Sequence, residues 1–290
     1  MNVLVLGGTR FFGIHMVNSL LSKGHNVTIA TRGMTKDVFG QNIERLFIER
    51  TSADSLSTAL SNKFFDVVCD NLAYCSNDVK FLLDSLNCGR YVMTSSASVY
   101  IGQHLCTQEK EFDPFSYPLK WCYRQEFTYD EIKRQAECAL FQYYSRFPGI
   151  AVRFPFVIGE DDYTQRLYFY VEHIIKGTPI FINNLDEKIS FIRSVEAGNF
   201  IAWIAEKDFI GSINGNNGGT ITLQEIIKYV EERTGKKVIL SYNGLVGPFN
   251  GQKSFSLDNK LANDLGYYFT DLKEWIYNLI DKYIERTLSH

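Results

Sequence analysis

Two side chains four residues apart, Tyr129 and Lys133 in "YDEIKRQAECAL", are of the types that carry out proton transfer. On a helix that spacing places both on one face. A tyrosine of ordinary pKa near 10 is a poor base at neutral pH, and lowering that value by about three units takes roughly 4 kcal/mol of differential stabilisation. A neighbouring ammonium supplies stabilisation of this kind. With 17 tyrosines in the chain, a Tyr-x-x-x-Lys match arises by chance about once, so the pair gains weight only from its setting. It follows the apolar run "MTSSASVY" and precedes "GIAVRF", which places its helix beside the carboxyl edge of a sheet, where ligands bind in such folds. Ser96, near the end of the first of these runs, is the hydroxyl placed to hold the same substrate oxygen. Thr94, Ser95 and Ser98 compete for that role.

A second constellation lies at the N-terminus. "VLVLGGTRFFGIHMV", residues 3 to 17, has a glycine loop directly after an apolar run and directly before an amphipathic one, the context in which a glycine pattern signals a dinucleotide site. The loop Gly7, Gly8, Thr9, Arg10, Phe11, Phe12 and Gly13 forms an anion site, because unpaired N–H groups and the helix dipole both favour a pyrophosphate. Arg10 stands where a central glycine is expected. The second apolar run ends Thr31-Arg32-Gly33, without the acid that usually accepts the ribose hydroxyls of NAD. An acid there would repel a 2'-phosphate and an arginine would bind it, so Arg10 and Arg32 predict NADP, with NAD as the alternative. The competing reading is a solvated loop residue and a helix-end cation. With such a cofactor, Tyr129 exchanges a proton while hydride moves to or from the nicotinamide, whose positive ring adds to the effect of Lys133.

The elements that must position these residues follow from periodicity. "NVLVLG" (2–7), "NVTIAT" (26–31), "RLFIE" (45–49), "FDVVCDN" (65–71), "GRYVMTSS" (89–96) and "GIAVRF" (149–154) read as strands, with helical patterns between them such as 13–24 and 76–87. Gly24 closes the first helix, and Asp54 and Ser76 are predicted N-caps. Repeated strand-helix-strand order gives a parallel, doubly wound α/β sheet. After residue 158 helical patterns dominate. Residues 1–158 are therefore expected to form the dinucleotide-binding domain, with 188–206 packing against it, and 159–290 a smaller, mainly helical domain.

Composition narrows the function classes. A net charge of −3 argues against a broad basic surface, so no nucleic-acid partner is expected. The six cysteines lack CxxC or zinc-like spacing and fit a reduced compartment, and the five histidines are scattered, so no metal site is expected. No apolar run approaches the roughly 18 residues of a membrane span, and no signal segment precedes the first strand, which predicts a cytoplasmic protein without a membrane partner.

Taken together, these segments resemble the extended short-chain dehydrogenase/reductase superfamily, specifically the NAD-dependent epimerase/dehydratase family. "GGTRFFG", "FDVVCDNLAY", "SSASVY", "YDEIK", "RFPFVIGEDD" and "FIRSVEAGNF" occur in the family's order over nearly the whole chain. The resemblance implies a Rossmann domain with a smaller C-terminal substrate domain. It implies catalytic roles for Ser96, Tyr129 and Lys133, cofactor contacts from Leu72 and Ala73, and a place near the nicotinamide for Pro155. Tyr74 and Arg166 are candidate substrate contacts, and a homodimer is compatible with the family. "GGTRFFG" and "GEDDYTQRLYFYVEHI" look more like an atypical branch that includes chloroplast stem-loop-binding relatives, some without the catalytic pair. The usual Arg-Pro is spread to Arg153-Phe154-Pro155, and the interval from Ser96 to Tyr129 is longer than in sugar-nucleotide epimerases. The expected function is an NAD(P)-dependent oxidoreductase or epimerase/dehydratase acting on a hydroxyl-bearing small molecule such as a nucleotide-sugar. The alternative is a non-catalytic, dinucleotide-sensing or RNA-binding protein.

Overall fold

Runs rich in Val and Ile suit a sheet buried on both faces, and each such run of the first 154 residues forms a strand. A computed structural model of the chain describes residues 1–41 and 43–289. Its first part contains β1 (Asn2–Leu6), α1 (Phe12–Ser22), β2 (Asn26–Thr31), β3 (Glu44–Phe47), α2 (Ala53–Leu60), β4 (Phe64–Asp70), α3 (Ser76–Leu83), β5 (Asn87–Ser96), α4 (Tyr129–Cys138) and β6 (Gly149–Phe154). There follow β7 (Phe156–Ile158), α5 (Arg166–Lys176), β8 (Ile180–Phe181), β9 (Lys188–Ile189), β10 (Phe191–Arg193), α6 (Ser194–Ile204), β11 (Gly211–Asn214) and β12 (Ile221–Thr222). The chain ends with α7 (Leu223–Thr234), β13 (Leu245–Val246), α8 (Lys260–Asp264) and α9 (Ile276–Leu288).

One unit comprises Met1–Ile101, Gln108–Phe154 and Val195–Gly215. Its seven strands pair in parallel in the order β11-β6-β5-β4-β1-β2-β3. Strand order reverses between β1 and β4, which opens a crevice at their carboxyl ends. Leu4, Leu6, Val68, Tyr91, Met93 and Ala151 of the sheet pack with Leu56, Leu60, Leu82, Leu83, Ala136 and Leu140 of the helices. Gly198 of α6 lets that helix approach the first turn of α1, since a Cβ there would sit 2.5 Å from the Phe12 carbonyl oxygen. The edge strand β11 was not anticipated, because "GSIN" offers one apolar residue and no alternation.

The other unit comprises Gly102–Thr107, Pro155–Ser194 and Asn216 onward. Helices α5, α7 and α9 pack together through Leu167, Val171, Ile174, Ile226, Val230, Ile280 and Tyr283. Phe249 anchors an aromatic cluster, with ring centroids 4.9 Å from Phe156 and 5.2 Å from Phe191. The strands here are short pairs, β7 with β10, β9 with β12 and β8 with β13.

Two helix starts differ from expectation. Ser52, not Asp54, caps α2, its Oγ accepting from the Ser55 amide, and Asp54 falls in the first turn, where the dipole favours an acid. Cys75, not Ser76, is the N-cap residue of α3, and the Asp78 carboxylate accepts from its amide. Gly24 does follow α1 with φ +79°, in the left-handed conformation that glycine adopts without strain.

Candidate functional site

The glycine loop joins β1 to α1 at the crevice. Gly7 has φ +78°, and a Cβ on it would press on Leu72 at 3.0 Å and Asn71 at 3.1 Å, the residues that follow β4. Gly13 is stricter still, because a Cβ there would fall 2.1 Å from the Gly7 carbonyl oxygen. Gly8 lies against Val5 and Val17 and allows helix and strand to close up. The three glycines thus let the loop close tightly on β1, on α1 and on the residues after β4, which brings the start of α1 directly behind β1, the arrangement that suits a dinucleotide. Arg10 needs no left-handed conformation; that conformation moves to Phe11, at φ 54° and ψ −142°. For a residue with a Cβ this region is strained, which marks the loop as over-determined by its surroundings. The ring of Phe11 is buried against that of Phe12 at 5.4 Å, while the exposed Arg10 turns outward and donates to Thr35 Oγ1 at 2.9 Å.

At the other side of the crevice α4 is clamped to the sheet. Lys133 Nζ donates to the carbonyl oxygens of Ala73 and Thr94, both at 2.8 Å. One residue on, Arg134 donates to the Val99 carbonyl and pairs with Asp130 and Glu131. One turn later, Glu137 accepts both Nε and NH2 of Arg153 from β6, together with the hydroxyls of Ser95 and Ser212. Arg153 completes its fork on Tyr100 Oη and the carbonyls of Glu109 and Phe112. Both members of this ion pair are fully buried. A buried pair with every partner in place orients more than it stabilises, and this one fixes the rotation of α4 about its axis.

That rotation sets the chemistry. Lys133 is buried and Tyr129, the first residue of the helix, is half exposed. The ring of Tyr74 joins them: Lys133 Nζ lies 4.7 Å from its centroid and the Tyr129 ring meets it edge-on at 6.5 Å. The Arg124 guanidinium stacks on the same ring at 4.5 Å, donates to the Leu72 carbonyl and pairs with Asp78. Burial lowers the Lys133 pKa from its ordinary 10.5 to about 8, a fall limited by the carboxylates of Asp70, Asp78 and Glu137. The ammonium is therefore charged at neutral pH.

Among the four hydroxyls at the end of β5, bonding separates the roles. Thr94 donates to Asn71 Oδ1, Ser95 to Glu137, and the Ser98 hydroxyl is buried. Ser96 is partly exposed, its Oγ accepting from the Ser98 amide as it caps a short 3-10 turn, Ala97–Val99.

Other candidates occupy distinct places. Arg32 is exposed at the end of β2, and its charge, with that of Arg124, acts on the carboxylate of Glu49, whose pKa is lowered chiefly by hydrogen bonds from Thr51. Leu72 and Ala73 border Gly7 and Lys133. Pro155 is buried between β6 and β7. Arg166 opens α5, donates to Thr164 Oγ1 and the Val157 carbonyl, each at 2.9 Å, and lies over the Phe156 ring. Arg124, Asp78, Glu49 and Thr35 escaped the sequence reading. The first two carry no motif, being joined only by tertiary structure, whereas Glu49, ending the third apolar run, was visible as an acid at the same sheet edge as Arg32.

Among the described residues no helix is long and apolar enough to cross a membrane, and no group of three or more His, Cys, Asp or Glu is placed to hold a metal. Residues 3–84 match the model of the NAD dependent epimerase/dehydratase family. The chain is 32% identical over 130 residues to chloroplast stem-loop binding protein of 41 kDa b of Arabidopsis thaliana, covering 39% of this chain and 34% of that protein. It is 24% identical over 266 residues to UDP-glucuronic acid decarboxylase 1 of the same plant, covering 80% of this chain and 58% of that protein. Each match thus spans less than two thirds of the plant protein. Among solved structures, MoeE5 in complex with UDP-glucose and NAD superposes with a TM-score of 0.75 at 21% identity, over 99% of this chain and all of that one. The UDP-glucose 4-epimerase of Thermotoga maritima with UDP-glucose superposes at 0.77 and 18% identity, again over 99% of this chain and all of the other. These likenesses establish the Rossmann-type α/β fold.

Proposed function

We propose, on the premise that residues 3–84 belong to the NAD dependent epimerase/dehydratase family, that this chain is an NAD(P)-dependent oxidoreductase or epimerase/dehydratase. Its substrate is a hydroxyl-bearing small molecule of the nucleotide-sugar class. The observation that carries this reading is Lys133, a buried ammonium held by two carbonyls beside Tyr74 and Tyr129 at the carboxyl edge of a parallel sheet. The UDP-sugars named with the similar structures and with the plant decarboxylase support the substrate class.

In this reading Gly7, Gly8, Thr9, Arg10, Phe11, Phe12 and Gly13 cradle the pyrophosphate, and Leu72, Ala73 and Pro155 line the cofactor. Arg10 and Arg32 meet the 2'-phosphate of NADP and favour it over NAD. When bound, the nicotinamide supplies hydride chemistry. Tyr129 Oη takes the proton from the substrate hydroxyl, or returns it. The Lys133 ammonium lowers the cost of the resulting phenolate, and Ser96 Oγ donates to the same substrate oxygen. Tyr74 and Arg166 contact the substrate.

Tyr129→Phe tests the central assignment. Turnover is expected to fall by about 10²- to 10⁴-fold, the usual contribution of a positioned proton-transfer group, with dinucleotide affinity nearly unchanged. Wild-type turnover in that variant would remove the tyrosine from the mechanism. The substrate class is checked by thermal shift against NAD, NADP and a panel of sugar nucleotides, since a ligand that binds only the native state raises the melting temperature.

A further inference from the structure

Beside the proposed site, the segment around 120–124 is tied to the start of α3. Ser76 Oγ donates to the Lys120 carbonyl and accepts from the Cys122 amide at 2.8 Å, and the Asn77 amide donates to the Cys122 carbonyl at 3.3 Å. These bonds place two free thiols together. Cys75 and Cys122 pack together with Ile132 and against Tyr74, and Ser76 Oγ lies 3.5 Å from Cys122 Sγ. Two residues after Cys122 comes Arg124, and one residue before Cys75 comes Tyr74, whose rings and charges meet as described above.

We propose that Cys75 and Cys122 form an oxidisable dithiol, a modification site that a peroxide closes to a disulfide and that thereby resets Tyr74 and Arg124. The two neighbouring thiols shift each other, Cys122 downward and Cys75, which burial also raises, upward. Cys122 is therefore the nucleophile. Its thiolate attacks one peroxide oxygen and breaks the O–O bond, forming a sulfenic acid and releasing water once the leaving oxygen is protonated. The Cys75 sulfur then displaces the sulfenic oxygen, which leaves as a second water. Two thiols lose two protons and two electrons, and one hydrogen peroxide is reduced to two waters.

Both sulfurs are buried, so the oxidant is a small neutral peroxide rather than a bulky disulfide. The other buried thiols, Cys69, Cys88 and Cys138, have pKa values pushed up to about 12 by burial. Closing the S–S bond draws the two packed sulfurs to about 2.05 Å of each other. Residues 74 and 124 are carried by the same two backbone segments. Tyr74 thus shifts relative to Lys133, and catalysis weakens. This last effect rests on the function proposed above, whereas formation of the disulfide does not.

The test is graded hydrogen peroxide on the full chain, alkylation of remaining thiols, and peptide mapping without reductant. The expected product is one cross-linked pair, Cys75 to Cys122, lighter by two hydrogens and reopened by dithiothreitol. If both cysteines remain separately alkylated at doses that oxidise the exposed Cys106, the proposal is overturned. Cys122→Ser and Cys75→Ser should each abolish the cross-link, and a disulfide persisting from the remaining cysteine would also overturn it. Turnover should fall in step with the cross-linked fraction and recover on reduction. A cross-linked protein of unchanged turnover would sever the dithiol from the active site. A chain with no turnover at all bears on the proposed function alone, since the map reads the same either way.

Discussion

The two sides of the crevice are built in opposite ways. On the α4 side, charged groups are buried and multiply bonded: Lys133 on two carbonyls, and Glu137 and Arg153 on each other and on five further protein groups. On the glycine-loop side Arg10 and Arg32 are exposed, and the Arg10 guanidinium holds Thr35. The α4 side is organised before any ligand arrives, and the glycine-loop side leaves its two arginines to solvent-screened electrostatics. In the function proposed above, such a division puts rigidity where a small misplacement costs rate, and adaptability where only affinity is at stake.

The largest effect should come from breaking the buried pair. Glu137→Gln keeps the shape but leaves Arg153 charged and without its counterion, which costs about 3–5 kcal/mol of stability. A urea melt of the variant reads this as a fall in midpoint at unchanged slope. The double change Glu137→Gln with Arg153→Met should recover much of the loss, because no uncompensated charge remains. A loss below about 1 kcal/mol, the range of exposed pairs, would mean that the two sides do not differ in the way described.

Next in size is the pH dependence carried by Lys133. Its folded pKa, about 8, lies below the ordinary 10.5 because burial disfavours the charged form. Between these values the unfolded chain holds a proton that the folded chain has released. The contribution of this group to stability therefore rises with pH from about 8 to about 10.5 and is constant below. Turnover should move the other way, falling above about pH 8 as the ammonium beside Tyr129 is lost. Lys133→Met should erase the rise in stability, measured by melts across the same pH range. An alkaline fall in turnover that survives in Lys133→Met would assign it to another group.

How much of this was legible in the sequence follows the same division. Strands β1 to β6 were readable because each is an apolar run bounded by turn residues, and the glycine loop because Gly7, Gly8 and Gly13 answer to local backbone geometry. The spacing of Tyr129 and Lys133 was readable as a shared helix face. What holds that face in place was not, since Glu137 meets Arg153, and Arg124 meets Asp78, only after the sheet has assembled. The extra residue in Arg153-Phe154-Pro155 looked like a departure from a motif, yet Arg153 has a buried partner of its own. The positive φ of Phe11 had no sequence signal either, because phenylalanine is a poor choice for that conformation.

The smallest effect belongs to the exposed arginines, and its smallness is itself informative. Arg10→Ala with Arg32→Ala should weaken NADP by about tenfold, or about 1.4 kcal/mol, while NAD is little changed, because the two guanidinium groups are solvated and each contributes modestly. Glu49 works against them: Arg32 acts on its carboxylate, so an anion stands near the place proposed for the 2'-phosphate. Glu49→Gln alone should then shift the preference further toward NADP. Both effects should shrink between low salt and about 0.15 M, where the screening length is about 8 Å, whereas the Glu137 variant should show no comparable salt dependence. Equal losses for NADP and NAD in the double arginine variant would remove the phosphate contact and leave Arg10 as a residue that only braces the loop through Thr35.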